Sequence, residues 1–161
     1  MITVEIDSKD YRTVFERYIG EYKWGTRDCI RLVVDLLGYS IDQDIASHFS
    51  DYLNQPSLEE AEKLTLQRYP SIGAGYSDVI SGIDGIEIIK DAVIENRRAG
   101  DVMWIEGTIE TQAGDVDEYE EANSYIVYIN NSMDVLMWSA MGLVPITGDI
   151  TVKEIWRGQV H

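Results

Sequence analysis

A chain of 161 residues, 45% of them hydrophobic, is sized for one domain with its own core and falls outside the disordered and fibrous classes. A domain of this length buries about 70% of the surface that its unfolded chain exposes. The formal net charge of −16, from 29 acidic and 13 basic residues, repels phosphate backbones and argues against nucleic-acid binding, while the single cysteine excludes an internal disulfide framework and a cysteine zinc cluster.

The opening MITVEIDSKD has no basic start followed by a long apolar run, so no signal peptide is expected. The apolar runs fall well short of the roughly 18 residues a membrane helix needs, so no membrane insertion is expected either. In YRTVFERYIGEY, Tyr11, Val14, Phe15, Tyr18 and Ile19 recur at helical spacing. Asp7 or Ser8 is placed to cap that helix and Gly20 to end it.

The next helix should open at Asp28, whose side chain can accept from a free N–H of the first turn. Its run CIRLVVDLLG is apolar on most sides, which predicts a central helix ending at Gly38. DQDIASHFSDYL is a weaker helical stretch. PSLEEAEKLTLQRYP is stronger, with Ser57 and Glu60 at capping-box spacing, Leu58, Ala61 and Leu64 on one face, and Pro70 as its stop.

From residue 72 the texture changes. SIGAGYSDVISGIDG reads as a glycine-rich loop, too short and without the Gly-Lys-Ser/Thr of a phosphate loop. The runs IEII, DVMWIE, SYIVYI, DVLMWSA, GLVPI and TVKEIWR then read as short strands separated by turn residues, TGD among them. Helices first (about 1–70) and strands second (about 84–157) make one α+β domain over 1–161 with a mostly antiparallel sheet. The acidic stretch 106–123 reads as a mobile hairpin connection between two strands. Its acids do not follow calcium-loop spacing, and no metal or other cofactor is expected. The tryptophans and the methionines Met133, Met137 and Met141 read mainly as core filling, with Trp24 also placed to line a groove beside Cys29.

The chemistry concentrates in WGTRDC (24–29). A cysteine at a helix N-terminus has free N–H groups and the helix dipole to favour its thiolate. A hydrolase needs in addition a base, usually a histidine held by a third polar group. An aromatic-Gly-x-x-Asp-Cys stretch opening a buried helix resembles the NlpC-type cell-wall peptidases, which have a papain-like fold. AGDVMWIE resembles that family's Gly-Asp strand, and NSYIVYINNS its next strand. DVLMWSAMGLVPI and EIWR resemble the closing ones. The pattern is most similar to small NlpC-like proteins encoded beside tail genes of tailed bacteriophages.

The resemblance implies Cys29 as nucleophile, with its backbone N–H helping to hold an oxyanion, Asp28 as a cap, and Trp24 and Gly25 as structural neighbours. It also implies a histidine where this chain has Ser124. The only histidines, His48 and His161, fall elsewhere. Losing a positioned acid–base group costs about 10² to 10⁴ in rate.

Cysteine is also among the residue types most often buried, so packing competes with catalysis as the role of Cys29. Two functions follow from the resemblance. One is a structural component of a phage virion, at the tail tip or baseplate, made in the host cytoplasm and docked through its acidic surface to basic tail proteins. The other is a cysteine peptidase or amidase acting on peptidoglycan during entry. The charge by itself is equally consistent with plain solubility, a saline environment or a basic partner.

Overall fold

The computed structural model describes residues 9–111, 124–139 and 141–159. Five helices precede five antiparallel strands, so the α+β class expected from the sequence is the one observed. Helix α1 (Arg12–Glu16) is shorter than its apolar spacing suggests. Asp7 and Ser8 lie outside the described residues. The first turn is instead tied by Asp10, whose carboxylate accepts the Arg12 backbone N–H at 3.0 Å. Tyr11, Val14 and Tyr18 of this segment are buried, and Ile19 is exposed.

Helix α2 (Cys29–Ile41) is the central helix, with Leu32, Val33, Leu36 and Leu37 fully buried. It does not stop at Gly38. It runs on to Ile41 and closes on Asp42, which takes the left-handed conformation at φ 55° while the Gln43 N–H bonds back to the Gly38 carbonyl at 3.0 Å. Gly38 serves a different need, because a side chain there would meet the Gln43 carbonyl 2.6 Å away.

DQDIASHFSDYL forms a 3-10 turn (Ala46–Phe49) and a single helical turn, α3 (Ser50–Leu53). Helix α4 (Leu58–Arg68) starts where expected, with the Ser57 hydroxyl accepting the Glu60 N–H at 3.2 Å.

The stretch read as a glycine-rich loop is helix α5 (Ile72–Ser81). Ser71 caps it by accepting the Ala74 N–H at 3.1 Å. Its glycines lower helix propensity, but they allow close packing: a Cβ on Gly73 would sit 2.2 Å from the Trp104 indole, and one on Gly75 2.4 Å from Thr65. Tertiary contact has overridden the local signal.

The strands are β1 (Ile86–Ile89), β2 (Val102–Thr111), β3 (Ser124–Ile129), β4 (Val135–Ser139) and β5 (Gly142–Gly158). GLVPI, TGD and TVKEIWR are therefore one strand of 17 residues, not two strands and a turn. Pairing with β2, from Thr111 opposite Ile146 to Val102 opposite Trp156, carries β5 through the Thr-Gly-Asp signal. The same pairing corrects the acidic connection, because its first residues, Glu106 to Thr111, are strand; the remainder, 112–123, lies outside the described residues.

Strand order is β1-β5-β2-β3-β4, and β4 pairs back onto the start of β5. The ladder β5–β2–β3–β4 thus returns to β5 and closes a small barrel, with β1 on its flank. Alternation along the strands sorts two cores. Met103, Ile105, Val127, Ile129, Val135, Met137 and Ile155 fill the barrel. Val102, Tyr128 and Trp156 face the helices and join Leu32, Leu36, Phe49 and Ile80. Met137 is buried as expected, whereas Met141 is 75% exposed at the β4–β5 connection.

Candidate functional site

The segment before α2 is built around Asp28, which is wholly buried. One carboxylate oxygen accepts the Arg31 backbone N–H at 2.8 Å, which is the expected cap, and the other accepts the Gly25 N–H at 2.9 Å. Gly25 stands at φ +96°, a conformation that favours glycine. The Arg31 guanidinium also pairs with Asp28, donates to the Leu53 carbonyl at 3.1 Å and lies over the Trp24 ring. The Trp24 indole donates to the Gln55 carbonyl at 2.9 Å. Trp24, Gly25, Asp28 and Arg31 thus form one fully partnered bracket that ties the start of α2 to the end of α3. Trp24 belongs to this bracket and is not among the residues lining the slot beside the thiol.

Cys29 is the first residue of α2 and is partly buried. Its Sγ lies 3.6 Å from the Tyr22 hydroxyl and 3.7 Å from the Tyr76 hydroxyl of α5. The Tyr128 hydroxyl of β3 donates to the Cys29 carbonyl at 2.9 Å. Burial pushes the thiol up from its ordinary value of 9.0 to about 11, against the partial relief of the two tyrosine contacts. The neighbouring Asp28 and Glu62 charges push in the same direction as burial. Burial likewise raises Tyr22, Tyr76 and Tyr128. A helix N-terminus alone should lower a thiol pKa; here desolvation and a carboxylate in the cap win. Beside the thiol is a slot of about 40 Å³ lined mainly by apolar side chains, among them Ile30, Phe49, Ala61 and Ile72. It has room for about one water molecule.

Ser124 lies at the start of β3, opposite Glu106 of β2. Its hydroxyl accepts the Trp104 indole N–H at 2.9 Å. Tyr128, which reaches Cys29, is four residues further along the strand, about 13 Å at the ordinary rise. Among the described residues, Ser124 and Cys29 share no hydrogen-bond partner. His48 is exposed on the Ala46–Phe49 turn, and His161 lies outside the described residues. Among the described residues, no histidine or carboxylate hydrogen-bonds the Cys29 thiol, and no group of His, Cys, Asp and Glu is arranged to hold a metal ion. No helix among them is long and apolar enough to cross a membrane.

The two other stretches behind the family resemblance meet each other. Asp101 of the Gly-Asp pair is buried and accepts two bonds from Arg157 of the Trp-Arg pair, at 2.9 and 2.8 Å. It also accepts the Arg98 N–H at 2.7 Å. Gly100 stands at φ +88°, and a Cβ there would fall 2.2 Å from the Tyr11 ring. These residues join the N-terminal segment, β2 and the end of β5 in one place. Their role is architectural, and they touch neither the thiol nor Ser124.

Comparison with family models, characterised proteins and solved structures returned no match. The site therefore has to be read from its own geometry. Sequence reasoning placed Asp28 and Cys29 correctly at the helix start. It missed Tyr22, Tyr76, Tyr128 and Arg31. Arg31 carried a usable signal, since a base three residues after a capping aspartate is within reach of it. The tyrosines come from three distant segments and carried none.

Proposed function

We propose that the chain is a papain-like, NlpC-type domain without catalysis that serves as an assembly component of a tailed-bacteriophage virion, at the tail tip or baseplate. The observation that carries the non-catalytic part is the thiol, held neutral by burial to about 11 and contacted by tyrosine hydroxyls in place of a base. At neutral pH a tyrosine hydroxyl is a poor proton acceptor, and these are raised further by burial. The papain-like arrangement is supported by a cysteine opening a central helix packed against a curled antiparallel sheet. The virion context rests on the resemblance of WGTRDC, AGD and WR, and the net charge of −16 supports docking against basic partners.

The test has two arms. Alkylation of Cys29 in the folded protein should stay slow at pH 7 and rise only toward pH 11, and peptidoglycan fragments should remain uncut. A fast reaction with an apparent pKa below the ordinary thiol value of 9.0 would sink the non-catalytic reading. Association with basic tail proteins should weaken as ionic strength rises, and salt-independent association would count against the assembly reading.

A second reading, a cysteine peptidase or amidase cutting cell-wall peptides, is favoured by one observation: Cys29 is the first residue of a 13-residue helix, where backbone N–H groups are available to an oxyanion. It requires a base, either from a partner chain or from a residue of this chain such as Glu62, whose side chain lines the slot beside the thiol, and movement of Tyr22 or Tyr76 off the thiol.

A further inference from the structure

We propose that the furrow between α5 and the sheet is a docking socket for an arginine side chain of a basic partner protein, with Glu154 as its anion and Trp104 as part of its wall. This rests on the reading that the acidic chain assembles against a basic partner, and it names where. The furrow is a wide, open depression of about 400 Å³. Ser77 and Asp78 of α5 form one wall; Ile88 and Lys90, Glu154 and Trp104 form the other.

Glu154 is the telling residue. It is only 8% exposed, yet it faces this furrow. Ser77 donates to its Oε1 at 2.6 Å and Trp156 donates to the same oxygen at 2.9 Å. Both bonds fix the carboxylate and both fall on one oxygen. Among the described residues no donor meets Oε2, which is not one of the buried unpartnered atoms and so stays open to solvent in the furrow. Glu154 and Trp104 are cross-strand partners, so the acid and the indole stand side by side on the same face. The ladder shifts register just after Trp104, leaving Lys153 out of the pairing with its Nζ 5.8 Å from the centre of the Trp104 ring. That ring already attracts a cation. Asp78, which accepts the Tyr69 hydroxyl, supplies a second carboxylate across the furrow.

These features select arginine over lysine. A planar guanidinium can direct one donor of its fork to the open Glu154 oxygen and another toward the Asp78 side of the furrow, whereas an ammonium remains a strongly hydrated point charge. Lys90 is exposed at the lip, and among the described residues it has no carboxylate within 4.0 Å. It repels an incoming cation and so sets a discriminating test.

The probe is the end-blocked peptide acetyl-Gly-Arg-Gly-amide, titrated into the whole folded chain at low salt and followed by the Trp104 indole and Ser77 amide resonances. Saturable shifts confined to the furrow are expected. Glu154→Gln, which keeps an acceptor for Ser77 and Trp156 but removes the charge, should weaken binding about tenfold. Lys90→Ala should tighten it about threefold, and the matching lysine peptide should bind more weakly. Shifts scattered over the acidic surface, equal binding of the two peptides, or a Lys90→Ala variant no tighter than the parent would each overturn the socket. Should Glu154→Gln not fold, Lys90→Ala decides alone, since its side chain is exposed. Salt-sensitive assembly that survives in Glu154→Gln would overturn the socket and leave the basic-partner reading standing. Salt-insensitive assembly with an intact socket would do the reverse.

Discussion

The two cores of this molecule solve the same problem with different materials. The barrel is filled by Met103, Ile105, Val127, Ile129, Val135, Met137 and Ile155, side chains with no strong hydrogen-bonding group. The layer between helices and sheet is aliphatic too, but it also buries Tyr11, Tyr76, Tyr128, Trp156 and Asp28, each with its polar atoms partnered. Shape and volume specify the first; directional bonds specify the second. The lesson bears on the cysteine. Cys29 lies in the second kind of core, where its thiol serves as one more partner in a network of tyrosines.

The contrast can be broken most forcefully at the seam that joins the N-terminal segment to the sheet. Arg157→Ala leaves the Asp101 carboxylate buried without its two strongest bonds, and chemical denaturation should show a loss of about 3 to 5 kcal/mol. In the barrel, Ile129→Ala should cost about 2 to 5 kcal/mol by cavity formation, while the volume-conserving Met103→Leu should cost less than about 1.5 kcal/mol. Gly73→Ala would press a methyl into the Trp104 ring, and a loss of about 1 to 3 kcal/mol is expected, together with a changed Trp104 fluorescence. Tyr128→Phe, nearly silent in volume, should cost about 1 kcal/mol because the Cys29 carbonyl loses its donor. A barrel that tolerated Ile129→Ala better than the layer tolerated Tyr128→Phe would invert the comparison.

The last effect is the pH dependence. The Cys29 thiol is raised in the folded state, so its contribution to stability is complete below about pH 9 and is lost as pH rises toward 11, where the unfolded chain ionises first. Cys29→Ala should flatten that part of an alkaline unfolding profile. The remaining slope belongs to Tyr11, Tyr18, Tyr22, Tyr76 and Tyr128, all raised chiefly by burial, and to Tyr69, raised chiefly by its bond to Asp78.

How much of this was legible in the sequence depended on distance along the chain. Asp28 as a cap, Ser57 as a cap and the strand run DVMWIE are local signals, and each appears in the structure as read. Helix α5 was hidden because Gly73 and Gly75 argue for a loop until Trp104 and Thr65 are known to lie against them. The continuity of β5 was hidden because Thr-Gly-Asp is a turn signal whenever no neighbouring strand holds it straight. The site was half legible: the position of Cys29 followed from its helix, but the character of its thiol was set by residues 7, 47 and 99 positions away.

Strand β5 has a further consequence for how the molecule opens. It pairs with β1, β2 and β4, and its alternating side chains reach into both cores, Ile155 into one and Trp156 into the other. Neither core survives its departure. In native-state hydrogen exchange the slowest amides of α2 and of β2 should therefore share one opening free energy, a single foldon spanning two chemically distinct interiors.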